Sequence, residues 1–423
     1  MHTQALIEEE QQAVEEFFKT SNKGVVCATG TLAQGLNLPA SAVVVNTTKQ
    51  HNEEDLPKPL SKEEVINMLG RAGRPGLGFQ SIGIIVPQYP ALYDQEKNTY
   101  LLDEEYRDFL ERIDAVVPLS SGLINVIETV ASLTDPNEDP DKLTFLLHAA
   151  VKDGLVNEDI INKTVASYFV GSEPINYAIQ KCNLWLENAS KDTKMQKVIG
   201  LAQKSAIPLS LAKILVETFD EDQTSMLLAL RSATTEDWIR WFLNNLKKLG
   251  GEFYKTYIHS VFTNCDLLVG FISSWTSGKS ILEIAQLFYS LEVGKEPVPG
   301  KRSNQSAIAK VIHVLNDGKR NIVHLANCYL YLVEELNSSR ELESELPNEL
   351  LMLSTCLNLG VLDFEAIKFR KKGFPRELSI KFGEIFSSPY DVKNLIFMWS
   401  MTNEIEGIQV SERLRTALIS INS

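Results

Sequence analysis

The sequence predicts an α/β segment over about the first ninety residues and a mainly α-helical region after it. In the first segment, short β-branched runs alternate with helical patterns, which is typical of a parallel sheet covered by helices. Beyond about residue 100, apolar residues recur at helical spacing, as in Leu211, Leu215 and Phe219. With 423 residues, the chain is long enough for two or three domains.

The first segment is predicted to contain two helices and three strands. The first helix covers residues 8–18, where the apolar residues fall on one face. The pattern Ser61-x-x-Glu64 is a capping box, which predicts that a second helix begins there. The three strands are short apolar runs bounded by Gly, Pro or polar residues, at residues 24–29, 42–46 and 82–86.

Composition and charge exclude several classes of protein. The chain carries 41 basic and 55 acidic residues, and the net charge of −14 does not by itself favour binding to a phosphate backbone. A local basic groove can still act, because salt screens charges beyond roughly 10 Å. The five cysteines form no CxxC pair, so we predict no disulfide framework and no metal site, and we expect an intracellular protein, nuclear or cytoplasmic. No apolar run approaches the ~20 residues of a membrane span, so no membrane partner is expected.

The stretch T-G-T-L-A-Q-G-L-N-L-P-A at residues 29–40 is the most informative in the chain. It follows the first predicted strand, and ligands of open α/β sheets bind at the carboxyl ends of parallel strands. Its glycines permit close approach of a ligand to the backbone. Its hydroxyl and amide groups, on Thr29, Thr31 and Asn37, suit contacts with phosphate and ribose.

A second stretch, G-R-A-G-R-P-G at residues 70–76, places Arg71 and Arg74 three residues apart at a helix end. Residues with this spacing share a helix face. Two guanidinium groups on one face can stabilise the charge of a transferring γ-phosphoryl group. Taken alone, this stretch is better explained by two arginines that solvate a helix end, but the two stretches together reverse that preference and favour a nucleotide site.

At these residues the chain resembles the Ski2-like branch of the superfamily 2 helicases. Residues 31–40 resemble motif V of that branch and residues 70–76 resemble its motif VI, in the family's order, with 71 − 29 = 42 residues from Thr29 to Arg71. The resemblance implies three domains. Residues 1–90 would be the C-terminal part of RecA-like domain 2, residues 91–200 a winged-helix-like domain and residues 201–423 a helical ratchet-like region.

The resemblance also implies a role for each motif residue. Arg71 and Arg74 match the arginine fingers that reach the γ-phosphate of ATP bound with Mg²⁺ on the first RecA-like domain. Thr29 and Thr31 match residues that contact the backbone of a DNA or RNA strand. The remaining nucleotide contacts implied by the motifs are Gly35, Asn37, Asn67 and Gly70, with Asn67 standing where the family commonly has Gln.

The sequence contains neither a P-loop, GxxxxGK[ST], nor a DExH box. Gly278-Lys279-Ser280 lacks the P-loop glycine five residues earlier, where Ser273 stands, so we interpret it as a turn between helices. We therefore expect the C-terminal part of a longer ATP-dependent helicase, inactive without an N-terminal helicase domain. The alternative is a non-catalytic nucleic-acid or protein-binding scaffold derived from a helicase.

One basic and aromatic stretch lies far from these motifs, at residues 368–376. Its Lys371 and Lys372 are candidate contacts to a nucleic-acid backbone, with Phe369 or Phe374 stacked on a base. A solvated basic loop whose phenylalanines point inward explains the same pattern equally well.

Overall fold

The computed structural model describes the greater part of the chain in two compact units, Met1–Leu119 and Ser120–Ser423. The described residues are 6, 8–20, 24–28, 40–46, 49–50, 58–60, 62–69, 82–86, 91–102, 107–108, 110–111, 127, 129–130, 132, 141, 151–152, 155–156, 163, 172–230, 232–293, 302–340, 345–372, 374–385, 404–405 and 408–409.

The described part of the first unit is built around a β-α-β arrangement. Its elements are α1 (Glu8–Thr20), β1 (Ala42–Val45), β2 (Lys49–Gln50), β3 (Lys58–Pro59), α2 (Lys62–Leu69), β4 (Ile82–Ile85), β5 (Ala91–Asp94) and β6 (Thr99–Leu102). Strands β1 and β4 are parallel, with Ala42 opposite Ile82 and Val45 opposite Ile85. Strands β2 and β3 pair antiparallel, and so do β5 and β6.

Side chains alternate between the two faces of a strand, so each strand of the parallel pair directs every second side chain towards helix α2. Helix α2 packs against this one face of the pair. Val45, Leu60 and Val65 are buried between the helix and the sheet. Val44 and Ile84, which point the other way, are exposed. The parallel pair is thus covered on one face in the described residues.

Both predicted helices of the first unit are confirmed, as are the predicted strands at residues 42–46 and 82–86. The prediction of a strand at residues 24–29 was wrong for residues 24–27, which form no strand, and Ala28 makes only an isolated bridge. Val25 is 89% exposed, so this apolar run is not buried as a central strand would be. Hairpin β5–β6 was not predicted.

The second unit is mostly helical in its described residues. Its short strands form two hairpins, β7 (Val151–Lys152) with β8 (Leu155–Val156), and β9 (Glu404–Ile405) with β10 (Ile408–Gln409). Its helices are α3 (Ser172–Ala189), α4 (Thr193–Ser205), α5 (Leu209–Thr218), α6 (Glu221–Leu230), α7 (Thr235–Lys247), α8 (Gly251–Phe253), α9 (Cys265–Thr276), α10 (Ile281–Val293), α11 (Arg302–His313), α12 (Lys319–Ser339), α13 (Asn348–Leu351), α14 (Leu353–Leu359), α15 (Phe364–Lys371) and α16 (Arg376–Ile385). Single π-helical turns follow α8 and α11, at Tyr254–Ile258 and Val314–Gly318.

One continuous core runs through the described helices of this unit, and aromatic side chains lie at its centre. Helix α7 begins with a capping box between Thr234 and Asp237. It then buries Trp238 and Trp241 completely, and the Trp241 ring meets that of Tyr329 edge-on at 6.0 Å. Such edge-to-face pairs stabilise a core beyond the area that they bury.

The predicted domain boundaries near residues 90 and 200 stay predictions, as do the winged-helix and ratchet assignments. Residue 200 lies within α4. Among the described residues, no single helix has both the length and the apolar character needed to cross a membrane, although two bent helix pairs reach both by length and composition alone.

Candidate functional site

The described residues next to the two motifs lie at the amino ends of the parallel strands β1 and β4. Ala40 ends the first motif and Ser41 leads into β1, whereas the second motif lies between α2 and β4 in the sequence. The backbone N–H of Ile82 donates to the carbonyl of Ser41 over 3.1 Å. Ser41 and Ile82 are therefore neighbours where β1 and β4 begin.

The end of α2, where the second motif begins, is fixed by close packing. Val65 is fully buried, and Leu69 packs over Gly83 of β4. A Cβ atom at Gly83 would lie 2.9 Å from Leu69 Cδ2, so the absence of a side chain at Gly83 lets Leu69 pack directly over the strand. The residues after Leu69 thus start from a defined point.

Asn67 is the one predicted nucleotide contact that the structure describes. It lies in the last turn of α2 and is exposed to solvent, two residues from the buried Val65. The other predicted motif residues lie outside the described residues: Thr29, Thr31, Gly35, Asn37, Gly70, Arg71 and Arg74. Their assigned roles stay predictions.

The basic stretch at residues 368–376 spans the turn between α15 and α16, and its phenylalanines point inward. Phe369, Phe374 and Phe382 pack together with ring centres 5.5–5.9 Å apart. Phe369 and Phe382 are fully buried, and Phe374 nearly so. The interpretation of Phe369 or Phe374 as a base-stacking residue was therefore wrong, because both rings are buried in the core of the hairpin.

The cations of this stretch divide into inward and outward groups. Lys371 and Lys372 are exposed. Arg370 donates from Nη1 to the carbonyl of Phe374 over 3.0 Å, across the turn. Arg376 is 4% exposed and belongs to the interior of the unit.

Arg376 joins α16 to the turn between α9 and α10. Its guanidinium lies 4.2 Å from the ring centre of Trp275, donates from Nη1 to the Trp275 carbonyl over 2.7 Å and donates from Nη2 to the Lys279 carbonyl. Burial lowers the pKa of Arg376, and the neighbouring Glu377 carboxylate partly opposes this effect. This arginine was part of a stretch predicted to contact nucleic acid, but its hydrogen bonds are internal.

The interpretation of Gly278-Lys279-Ser280 as a turn between helices is confirmed. Gly278 has a φ of 82°, which favours glycine, and links α9 to α10. Ser280 then forms a capping box with Glu283, whose N–H donates to Ser280 Oγ while Oε2 accepts from the Ser280 N–H over 2.8 Å. In the part of the chain that the structure describes, no His, Cys, Asp and Glu side chains cluster as metal ligands.

Comparison with known proteins identifies the N-terminal part of the chain. Residues 1–76 match the family described as the helicase conserved C-terminal domain. The ATP-dependent DNA helicase Hel308 of Thermoplasma volcanium is 37% identical over 105 residues, 25% of this chain and 14% of that protein. The DExH-box ATP-dependent RNA helicase DExH13 of Arabidopsis thaliana is 39% identical over 93 residues, 22% of this chain and 4% of that protein. The ATP-dependent DNA helicase MER3 of Saccharomyces cerevisiae is 33% identical over 126 residues, 30% of this chain and 9% of that protein.

Residues 1–76, which contain both motifs, β1 and α2, are thus similar to a helicase C-terminal domain. The relatives place this part of the chain in the Ski2-like branch of the superfamily 2 helicases. The matched segments span between 4% and 14% of the length of these three relatives.

Proposed function

We propose that this chain is the C-terminal part of an ATP-dependent nucleic-acid helicase and supplies one wall of its ATP site. The observation that carries the proposal is the presence of both motifs, with Arg71 and Arg74, within the segment that matches the helicase C-terminal domain. The other wall, with the P-loop and the DExH box, belongs to an N-terminal helicase domain with which this chain works.

The donor set of the motifs fits the phosphates of ATP. Arg71, Arg74 and Asn67 offer guanidinium and amide N–H groups, which hydrogen-bond to phosphate oxygens. Neither motif contains a carboxylate, so neither offers the charged oxygen ligands that Mg²⁺ prefers. We therefore assign the γ-phosphate contacts to this chain and the Mg²⁺ ligands to the N-terminal helicase domain. ATP supplies the phosphoryl group whose transfer to water drives strand movement.

Each motif residue has one task in this proposal. Arg71 and Arg74 stabilise the negative charge that develops on the γ-phosphate, as arginine fingers do. Gly35, Asn37, Asn67 and Gly70 line the nucleotide side, where glycine permits close approach of the backbone. Thr29 and Thr31 hydrogen-bond to the backbone of the bound strand.

The test is nucleic-acid-stimulated ATP hydrolysis by the chain joined to a segment that carries a P-loop and a DExH box. Arg71→Ala or Arg74→Ala should lower the turnover rate by about 10³-fold or more, the typical loss for an arginine finger. Arg240→Ala is the matched control, because Arg240 is exposed and, among the described residues, forms ion pairs with Glu236 and Asp237 of its own helix. Full activity of both finger variants would contradict the proposal.

The second candidate is a scaffold that keeps helicase motifs and acts through its helical surface. The large packed core of the second unit favours the scaffold, because the residues of this core are distant in sequence from both motifs. A scaffold tolerates substitution of Arg71 and Arg74, so the same two variants separate the candidates.

We further propose that residues 91–200 form a winged-helix-like domain and residues 201–423 a ratchet-like region over which the strand moves. The β7–β8 hairpin supports the first assignment and the series of helical hairpins supports the second. Lys371 and Lys372 are exposed, as a strand contact requires. The relatives include both DNA and RNA helicases, so the strand is either one. We also propose an intracellular location, nuclear or cytoplasmic, because the five cysteines form no CxxC pair.

A further inference from the structure

Helix α15 combines an exposed aromatic ring with lysines on the same face. Phe364 is its first residue and is 57% exposed. Lys368 lies one turn later, with Nζ 4.8 Å from the centre of the Phe364 ring. Lys371 follows three residues further on, and residues at these spacings share a helix face. Lys372 extends the row at the end of the helix, and we call the four residues the Phe364 stripe.

The exposed ring contacts Lys368 but is not part of the aromatic core of the hairpin. Lysines near the C-terminal end of a helix interact favourably with the helix dipole, which explains why Lys371 is there. The dipole offers nothing to a phenylalanine in the first turn, and leaving an apolar ring in water is unfavourable. The hairpin core is already formed by Phe369, Phe374 and Phe382, without Phe364.

The charges around the stripe leave its C-terminal end basic. Lys368 is paired with Glu365, with Nζ 2.7 and 2.8 Å from the two carboxylate oxygens. The carboxylate of Asp363 caps the helix by accepting from the backbone N–H of Ala366 over 2.9 Å. Lys371 and Lys372 are exposed and lie at the other end of the helix. An anionic ligand would therefore lie over these two lysines, about 10 Å along the helix from Phe364.

We infer that the Phe364 stripe binds single-stranded nucleic acid, with a base stacked on Phe364 and phosphates contacting Lys371 and Lys372. The inference rests on the proposed function, in which the chain belongs to a nucleic-acid helicase. An aromatic face combined with backbone-tracking cations is the general means of binding a single strand without sequence preference. Lys368 lies over the ring, so a base would stack on the part of the ring that Lys368 leaves exposed. An acidic protein segment would use the lysines but would not need an exposed ring, so a nucleic acid fits the stripe better.

Equilibrium binding without ATP tests this inference on the full chain. Fluorescence anisotropy would measure affinity for labelled oligo-dT and oligo-U of about 20 nucleotides, longer than the site of a typical single-strand module. Phe364→Ala should weaken binding about tenfold or more, since one base loses its stacking partner. Phe364→Tyr, which keeps the aromatic face, should restore it.

The salt dependence separates the two parts of the stripe. The double variant Lys371→Gln/Lys372→Gln should reduce the slope of log K against log salt concentration by about 1.4, or about 0.7 for each phosphate that a lysine no longer neutralises. Phe364→Ala should leave this slope unchanged, because it removes no charge. A merely structural role for Phe364 would not produce this difference.

Two matched controls are available in the same unit. Tyr177 on α3 is also exposed and has Lys181 over its ring at 4.3 Å, but no lysine pair follows on that face, so Tyr177→Ala should bind as the parent does. Lys204→Gln/Lys213→Gln removes the same charge from exposed positions on other helices and should leave the slope unchanged.

Several results would overturn the inference. These are parental affinity in Phe364→Ala, equal losses in Phe364→Ala and Tyr177→Ala, and a parent chain with no affinity for either oligonucleotide. Binding of polyglutamate that competes fully with the oligonucleotide and depends equally on Phe364 would assign the stripe to a protein partner instead. The binding experiment does not measure ATP hydrolysis by the Arg71 and Arg74 variants. A negative binding result would therefore overturn the role of the Phe364 stripe without overturning the proposed ATP site.

Discussion

Replacing the buried Arg376 should cost more stability than replacing any exposed arginine of the second unit. The guanidinium makes charge-assisted hydrogen bonds to the carbonyls of Trp275 and Lys279 and lies over the Trp275 indole. Hydrogen bonds to a charged group contribute about 1.5–3 kcal/mol each, and a desolvated cation–π contact about 2 kcal/mol. The desolvation of the guanidinium, which also lowers the pKa of Arg376, offsets part of this sum.

We therefore expect Arg376→Ala to lower the free energy of unfolding by about 3–5 kcal/mol, the usual loss when one partner of a buried charged network is removed. Arg376→Lys should recover less than half of it, because an ammonium group cannot donate to both carbonyls and lie flat on the indole. Urea unfolding followed by tryptophan fluorescence would measure both variants, since Trp275 is the direct contact.

The control for this prediction is Arg240→Ala. Its ion pairs with Glu236 and Asp237 are exposed, so its loss should change the free energy of unfolding by no more than about 1 kcal/mol. Equal unfolding free energies for Arg376→Ala and Arg240→Ala would refute the assignment of Arg376 as the link between α16 and the α9–α10 turn.

Two further predictions concern turns of the second unit. Gly360 ends α14 with a left-handed φ of 71°, and a Cβ there would overlap the Trp275 indole, so Gly360→Ala should cost more than about 1–2 kcal/mol in urea unfolding. Gly250→Ala, with nothing within 4 Å of the new Cβ, should cost less than about 1 kcal/mol, and equal costs would contradict the packing. Hydrogen bonds from Ser280 hold the pKa of Glu283 below its ordinary value, so NMR titration of Ser280→Ala should show that pKa raised, and an unchanged pKa would refute the capping box. In the parent chain, the stabilisation of the fold by this cap is fully present above the ordinary Glu pKa of about 4.3. This stabilisation is lost as the pH falls through the lowered pKa of Glu283.

The elements that the sequence predicted correctly are those with local signals. Helix α2 begins beside its capping pattern at residues 61–64, and strands β1 and β4 coincide with short β-branched runs between polar residues. The motif at residues 70–76 was recognised from its residue types and its place after residues 31–40, and the family match covers it. Residue spacing in the sequence is sufficient to predict an element when the contacts that form it join residues close together in the chain.

The errors in the basic stretch arose from contacts between distant residues. Arg376 bonds to Trp275, which is 101 positions away in the chain, and no window around residue 376 contains that acceptor. Phe369 and Phe374 pack against Phe382 of the next helix and form the core of the hairpin. The alternation of phenylalanine with basic residues therefore wrongly suggested a nucleic-acid-binding surface. Phe364 was missed, although its spacing of four residues from Lys368 could have been noticed.

The central claim is that this chain completes an ATP site and does not contain the whole of it. The most direct measurement is nucleic-acid-stimulated ATP turnover by the chain by itself and after addition of a segment with a P-loop and a DExH box. We expect no turnover from residues 1–423 and clear turnover once the segment is supplied, because the phosphate-binding lysine and the Mg²⁺ ligands come with that segment. Robust hydrolysis by residues 1–423 would contradict the claim.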